Sequence, residues 1–159
     1  MSNNIKYTRL EQLAGLPVEA LLMHRDPMLL LDTLVEAFEE STICEFRISE
    51  GWSFVVPGTG VPGYIGVEVM GQCVAAHAGA RARLEGFGPP LGFLLGTRYF
   101  KSSVDWLEIN KTYRVTCKEL FRDTHGMGSY DCSISLHELP VATARLTVLE
   151  KERGEQLNA

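Results

Sequence analysis

The feature that most constrains this chain is a long apolar stretch without proline, YIGVEVMGQCVAAHAGARARLEGFG, which begins at Tyr64. It follows a loop rich in glycine and proline at residues 51–63. Arg81 and Arg83 fall in its last turns, where positive charge opposes the helix dipole. We therefore predict one helix over residues 64–85. Because its first four turns are apolar or small on every side, the helix must be buried by the rest of the chain.

Period-two alternation of apolar and polar residues appears on both sides of this helix. Residues 28–50 predict a β-hairpin, and four further strands are predicted after residue 90. In the last three strands one side is apolar and the other polar, which is typical of an antiparallel sheet with one exposed face. A short helix is also predicted over Val18 to Met23, after Pro17. This order predicts an α+β fold in which a curved sheet of six strands wraps around the long helix, with a second subunit completing its burial.

Length and charge limit the classes of function. The 159 residues suit a single domain, with residues 1–15 and 151–159 expected as loosely ordered ends. A formal net charge of -5 argues against a general nucleic-acid binder. The least charged stretch, residues 51–80, contains two prolines and seven glycines, so we expect no membrane span. No apolar leader is visible in the first residues, and no two of the four cysteines form a CxxC pair; we expect free thiols and a cytoplasmic protein.

Glu68 is the main candidate for chemistry, because it lies about one turn into an otherwise apolar helix. A sheltered carboxylate there suits a general acid or base, and the alternative is a structural carboxylate paired with loop amides or a cation. Gln72, four residues on, shares the helix face and is expected to hold Glu68 by a hydrogen bond; the alternative is an amide at a dimer interface. Gly63 precedes the helix, where a backbone N–H can polarise a carbonyl oxygen. His24 is either a catalytic imidazole or a histidine packed under a loop.

No histidine and carboxylate pair shows the spacing of a metal site, so we expect neither a metal nor another cofactor.

Three stretches of the chain resemble the type II fatty-acid dehydratases that act on 3-hydroxyacyl-acyl-carrier-protein. The string LMHRDPMLLLDTLVE resembles their opening, and GFLLGTRYFKSSV resembles a later strand. VPGYIGVEVMGQ resembles their PG-plus-helix motif, in which a glutamate and a glutamine occupy the places of Glu68 and Gln72. The resemblance covers residues 15–150 and looks closest to the dehydratase-like branch of aryl-polyene and related type II polyketide clusters.

The resemblance implies a dimeric hotdog fold and elimination of water from a 3-hydroxyacyl thioester. In this family a loop histidine removes the C2 proton, a helix glutamate from the other subunit protonates the 3-hydroxyl, and backbone amides hold the thioester carbonyl. By resemblance Glu68 takes the glutamate position and Gly63 an amide position. The expected loop histidine falls at Phe54 or Val55, and neither side chain can take a proton.

Three functions remain open on the sequence. The chain is a dehydratase subunit that needs a histidine from a partner hotdog chain, or a thioesterase in which Glu68 activates water, or a non-catalytic acyl-binding or stabilising subunit. A self-sufficient dehydratase with His24 as the base is a further case. The substrate is expected on an acyl carrier protein or on coenzyme A, in a homodimer or heterodimer. Arg81 and Arg83 are candidate contacts for an acidic carrier, and the alternative is ordinary solvated surface charge.

Overall fold

The computed structural model describes Leu13 and residues 16–152. Its central element is one helix, α1 (Gly66–Leu84), which continues directly from a 3₁₀ turn at Gly63–Ile65. The helix predicted over residues 64–85 is therefore confirmed, with its first residues wound more tightly than an α-helix. The short helix predicted over Val18 to Met23 is reduced to a single 3₁₀ turn at Val18–Ala20.

Eight strands accompany the helix within the described residues. They are β1 (Thr33–Ala37), β2 (Ser41–Arg47), β3 (Val61–Pro62), β4 (Leu91–Ser102), β5 (Trp106–Leu107), β6 (Thr112–Arg122), β7 (Met127–Leu136) and β8 (Leu139–Glu152). Six of them form one antiparallel sheet in the order β1-β2-β6-β7-β8-β4, and β3 pairs separately with β5. The predicted hairpin and four long strands are confirmed. Residues 151 and 152 end β8 rather than belonging to a loose terminus, and the remainder of the two expected ends, apart from Leu13, lies outside the described residues.

The sheet wraps around the helix, because α1 contacts all six strands of the sheet. Four of the five ladders in the sheet contain a register shift, and such bulges bend and twist a strand. The side chains predicted to face inward are buried, among them Val115, Cys117, Ile134 and Ala144. The four cysteines are buried as free thiols. This is the α+β hotdog arrangement that the resemblance implied.

One face of α1 is not covered by the sheet. Glu68, Gly71 and Ala75 lie on this face and remain partly accessible, whereas Val69, Cys73 and other residues of the opposite face are buried. The neighbouring strand β4 lies at one edge of the sheet and is exposed at every position except Phe100. The helix is thus apolar all round but enclosed on one side only, which leaves a cleft beside it.

The segment before β1 packs tightly on the helix at Gly79. A Cβ atom at this position would collide with the carbonyl oxygen of Leu21, so only glycine permits the two backbones to lie this close. Gly71 differs, since a Cβ atom there would meet nothing within 4 Å. Gly79 therefore fixes the segment that carries His24, while Gly71 leaves space beside the helix.

Among the described residues, no helix is both long enough and apolar enough to cross a membrane.

Candidate active site

A cleft of about 440 Å³ runs along the accessible face of α1, between this helix and the first half of β4. Most of its wall is apolar or formed by glycine. This part of the wall includes Gly71, Val74, Ala75, Ala78, Phe93 and Leu94. Polar side chains line the cleft in two places, with Glu68 and His24 in the first and Tyr130 and Glu150 in the second. A long apolar channel with a carboxylate and an imidazole in its wall suits an acyl chain with a reactive end.

Glu68 and His24 meet in this wall although 44 residues separate them in sequence. The Nε2 atom of His24 lies 3.6 Å from Oε1 of Glu68. Their side chains are 36% and 40% exposed, so both groups are reachable from the cleft yet partly sheltered. The Nδ1 atom of His24 is buried and has no hydrogen-bond partner among the residues that the structure describes. The reactive nitrogen is therefore Nε2, which faces the carboxylate.

Gln72 holds Glu68 and the loop that follows His24. Its side-chain nitrogen donates to Glu68 Oε1 at 3.0 Å and to the carbonyl oxygen of Met28 at 2.7 Å. Its side-chain oxygen accepts from the backbone N–H of Leu30 at 2.9 Å. The side chain is 1% exposed, so the alternative of an amide at an interface does not hold. One amide thus fixes the carboxylate and ties the loop after His24 to the helix.

Replacing Gln72 by leucine is expected to destabilise the protein. The backbone carbonyl of Met28 and the N–H of Leu30 would lose their partners, and Leu30 is buried. Two unpaired backbone groups cost about 3 kcal/mol together. Urea unfolding of Gln72→Leu against wild type measures this as a lower free energy of unfolding, and an unchanged midpoint would mean that the loop is held by other contacts.

Arg25 holds the histidine segment from the other side. Its guanidinium donates to the carbonyl oxygens of Leu22 at 2.8 Å, His24 at 2.7 Å and Glu19 at 3.0 Å. These carbonyls belong to the 3₁₀ turn and the residues that follow it, and they have few partners of their own. Sequence reasoning missed Arg25, because nothing in the chain marks an arginine that binds only backbone.

The expected role of Gly63 as a free amide donor is not supported by the geometry. Its N–H donates to the carbonyl oxygen of Asp105 at 2.8 Å, where β3 meets β5, and is therefore already used. A Cβ atom at this position would lie 2.7 Å from the Val104 carbonyl oxygen, so this glycine serves a close backbone approach. Phe54 and Val55, at the place of the family's loop histidine, pack against the core.

The two predicted carrier contacts have different surroundings. Arg81 is ion-paired with Glu150 at 2.8 Å and with Glu119 at 3.4 Å, so its positive charge is neutralised within this chain. Arg83 lies in the last turn of α1 and is half-buried. Within the described part of the chain, no group of three or more His, Cys, Asp and Glu residues could hold a metal ion.

Comparison with known proteins places this chain in a family. The model of the ApeP-like family, described as ApeP dehydratase, matches residues 16–159. The chain is similar in fold to the dehydratase heterocomplex ApeI:P from Xenorhabdus doucetiae, with a TM-score of 0.81, 24% identity and coverage of 86% of this chain and 92% of that one. A hypothetical thioesterase with coenzyme A from Streptococcus pneumoniae is also similar, with a TM-score of 0.57, 10% identity and coverage of 79% and 87%. No curated protein matches the chain.

Proposed function

The chain belongs to the ApeP-like dehydratase family, and we propose that it eliminates water from 3-hydroxyacyl thioesters with Glu68 and His24 as its acid and base. It is a dehydratase of the aryl-polyene branch, as the resemblance implied. The observation that carries the assignment of residues is the 3.6 Å distance between His24 Nε2 and Glu68 Oε1 in the wall of an apolar cleft. An imidazole beside the carboxylate favours dehydration over a thioesterase in which one carboxylate activates water.

The pair can carry both proton transfers of the elimination. Neutral His24 takes the C2 proton, the C2–C3 double bond forms as the C3–O bond breaks, and protonated Glu68 gives its proton to the departing hydroxyl. The products are an enoyl thioester and one water molecule. His24 is then left with the proton from C2, and Glu68 is left ionised because its proton has gone into the water molecule. Their 3.6 Å separation allows the C2 proton to pass from His24 to the carboxylate, directly or through one water, which restores both groups. No further base is required by this balance.

A histidine supplied by a partner chain is the competing source of the base. This alternative follows from the family's use of two subunits and from the presence of Phe54 and Val55, which pack against the core, where the family has its loop histidine. His24 already lies beside Glu68 in the same chain, so we propose that His24 takes this role and that the partner completes the cleft. The effect of changing His24 decides between the two.

A second hotdog chain is the partner that we propose, and β4 is its docking edge. Leu91, Phe93, Leu94 and Leu95 are each at least 40% exposed on this strand. A long, exposed, apolar edge strand favours pairing with another chain, because its outer backbone groups have no partner within the described sheet. The heterocomplex of the similar Xenorhabdus doucetiae dehydratase supports a different hotdog chain as this partner.

Leu95→Lys is expected to break this assembly, since it places a charge in the middle of the docking edge. The measurement is the mass of the purified complex by light scattering, after expression with and without a candidate hotdog partner. Thr33→Lys, at the exposed start of β1 on the opposite edge, is the matched control and should leave the mass unchanged. An unaltered mass for Leu95→Lys would place the interface elsewhere.

The acyl group would arrive on an acyl carrier protein or coenzyme A, and Arg83 is the carrier contact that we propose in preference to the ion-paired Arg81.

Buried free thiols fit a reducing compartment, so we propose that the reaction takes place in the cytoplasm.

A further inference from the structure

We infer that the second polar part of the cleft, formed by Tyr130 and Glu150, binds a neutral hydrogen-bonding group such as a hydroxyl at the far end of the acyl chain. This inference rests on the proposed function, because it takes the cleft as the acyl site. It goes further by assigning a recognition site to residues that the elimination does not use.

The position of this site matches the end of an extended chain. Ala78 lines the cleft ten residues after Glu68 on the same helix, which corresponds to about 15 Å along the helix axis. A cleft of about 440 Å³ over such a length has room for one extended chain. An acyl group with its C2 and C3 atoms beside Glu68 and His24 would therefore lead its other end toward Tyr130 and Glu150.

The Tyr130 hydroxyl is an available donor at this end. Tyr130 is 2% exposed and lines the cleft, and its hydroxyl has no hydrogen bond to any other residue that the structure describes. Burial raises the pKa of Tyr130 to about 12, so the hydroxyl keeps its proton near neutral pH. A plain methyl terminus would cover this hydroxyl without a partner, whereas a hydroxyl terminus would pair with it.

The charges around Tyr130 are balanced, which determines the kind of group that fits. Glu150 bonds to Arg81 at 2.8 Å, and Glu119 contacts Arg81 at 3.4 Å and Arg122 at 3.4 Å. The ring of His77 packs edge-on to Tyr130, and its Nε2 lies 3.5 Å from Glu119. Two carboxylates facing two guanidiniums give a polar but nearly neutral surrounding. A neutral group suits it better than a phosphate of the carrier arm, which would meet Glu150 directly.

The inference is tested by binding, so that no catalysis is needed. The probes are two saturated acyl-pantetheine thioesters of equal length that lack the 3-hydroxyl, one ending in a methyl group and one in a hydroxyl group. Calorimetry with the full chain, in complex with its hotdog partner where one copurifies, should show about tenfold tighter binding of the hydroxyl-ended probe. Tyr130→Phe should remove this difference and keep the affinity for the methyl-ended probe.

Tyr113→Phe is the matched control, because Tyr113 is equally buried, bonds to the Glu108 backbone N–H at 2.9 Å and does not line the cleft. This variant should keep the tenfold preference. A thermal midpoint of Tyr130→Phe near that of wild type shows that the variant is folded. Equal affinities for the two probes, failure of both to bind, or a preference that survives Tyr130→Phe would overturn the inference.

The outcome is separable from that of the proposed function. If Glu68→Gln keeps full dehydration while Tyr130→Phe abolishes the preference between the probes, the catalytic assignment fails and the terminal site stands. If the reverse is found, the terminal site fails and the catalytic pair stands.

Discussion

Glu68→Gln is expected to lower the rate of dehydration by about 10² to 10⁴, because glutamine cannot give a proton to the departing hydroxyl. The substitution keeps the size of the side chain and an oxygen that can accept the 3.0 Å hydrogen bond from Gln72. The fold should therefore persist, with a thermal midpoint close to that of wild type. The rate is measured as formation of the enoyl thioester on a carrier-bound 3-hydroxyacyl substrate, with the partner hotdog chain present.

Glu36→Gln is the control for the loss of a carboxylate. Glu36 is exposed on β1 and does not line the cleft, so its replacement should leave the rate unchanged. Full activity of Glu68→Gln in the same assay would make Glu68 a structural carboxylate and would favour the reading of a stabilising subunit.

His24→Gln is expected to cause a loss of the same order, about 10² to 10⁴, because no other base of this chain lies beside Glu68 in the described wall of the cleft. Glutamine is uncharged and of similar length, and it cannot take a proton from C2. Binding of the substrate should change little, so the effect should appear in kcat rather than in KM.

His125→Gln supplies the matched control, since His125 lies exposed in the turn between β6 and β7. It should keep wild-type activity. A full rate in His24→Gln, combined with a loss when a histidine of the partner is changed, would assign the base to the partner chain instead.

The fold could be predicted because its main elements have strong periodic patterns. An uninterrupted apolar stretch indicated α1, and alternation indicated β6, β7 and β8 with the correct inward faces. The pair of β3 and β5 was not predicted, since strands of two residues carry no alternation. The turn at Val18–Ala20 is shorter than predicted, and Arg25 binds the carbonyl oxygen of Glu19, which an α-helix reaching Met23 would pair with the Met23 N–H.

The candidate site could be predicted only within one element. Glu68 and Gln72 lie four residues apart on α1, so their hydrogen bond followed from helical geometry and is confirmed. The meeting of His24 with Glu68 depends on three contacts that join distant parts of the chain. Gln72 binds the loop after His24, Arg25 binds the backbone before it, and Gly79 lets this segment approach the helix. No local pattern encodes such contacts. The role expected for Gly63 as a free amide donor fails for the same reason, because its N–H donates to the distant carbonyl oxygen of Asp105.

The most direct test of the pair uses a 3-hydroxyacyl carrier thioester that carries deuterium at C2. A single turnover is followed by mass spectrometry of the carrier-bound acyl group, which reports deuterium loss and enoyl formation together. Wild type should lose deuterium as the enoyl group appears, and His24→Gln should show neither within the same time. Deuterium loss from His24→Gln at the wild-type rate would contradict the assignment, because the C2 proton would then be taken by another group.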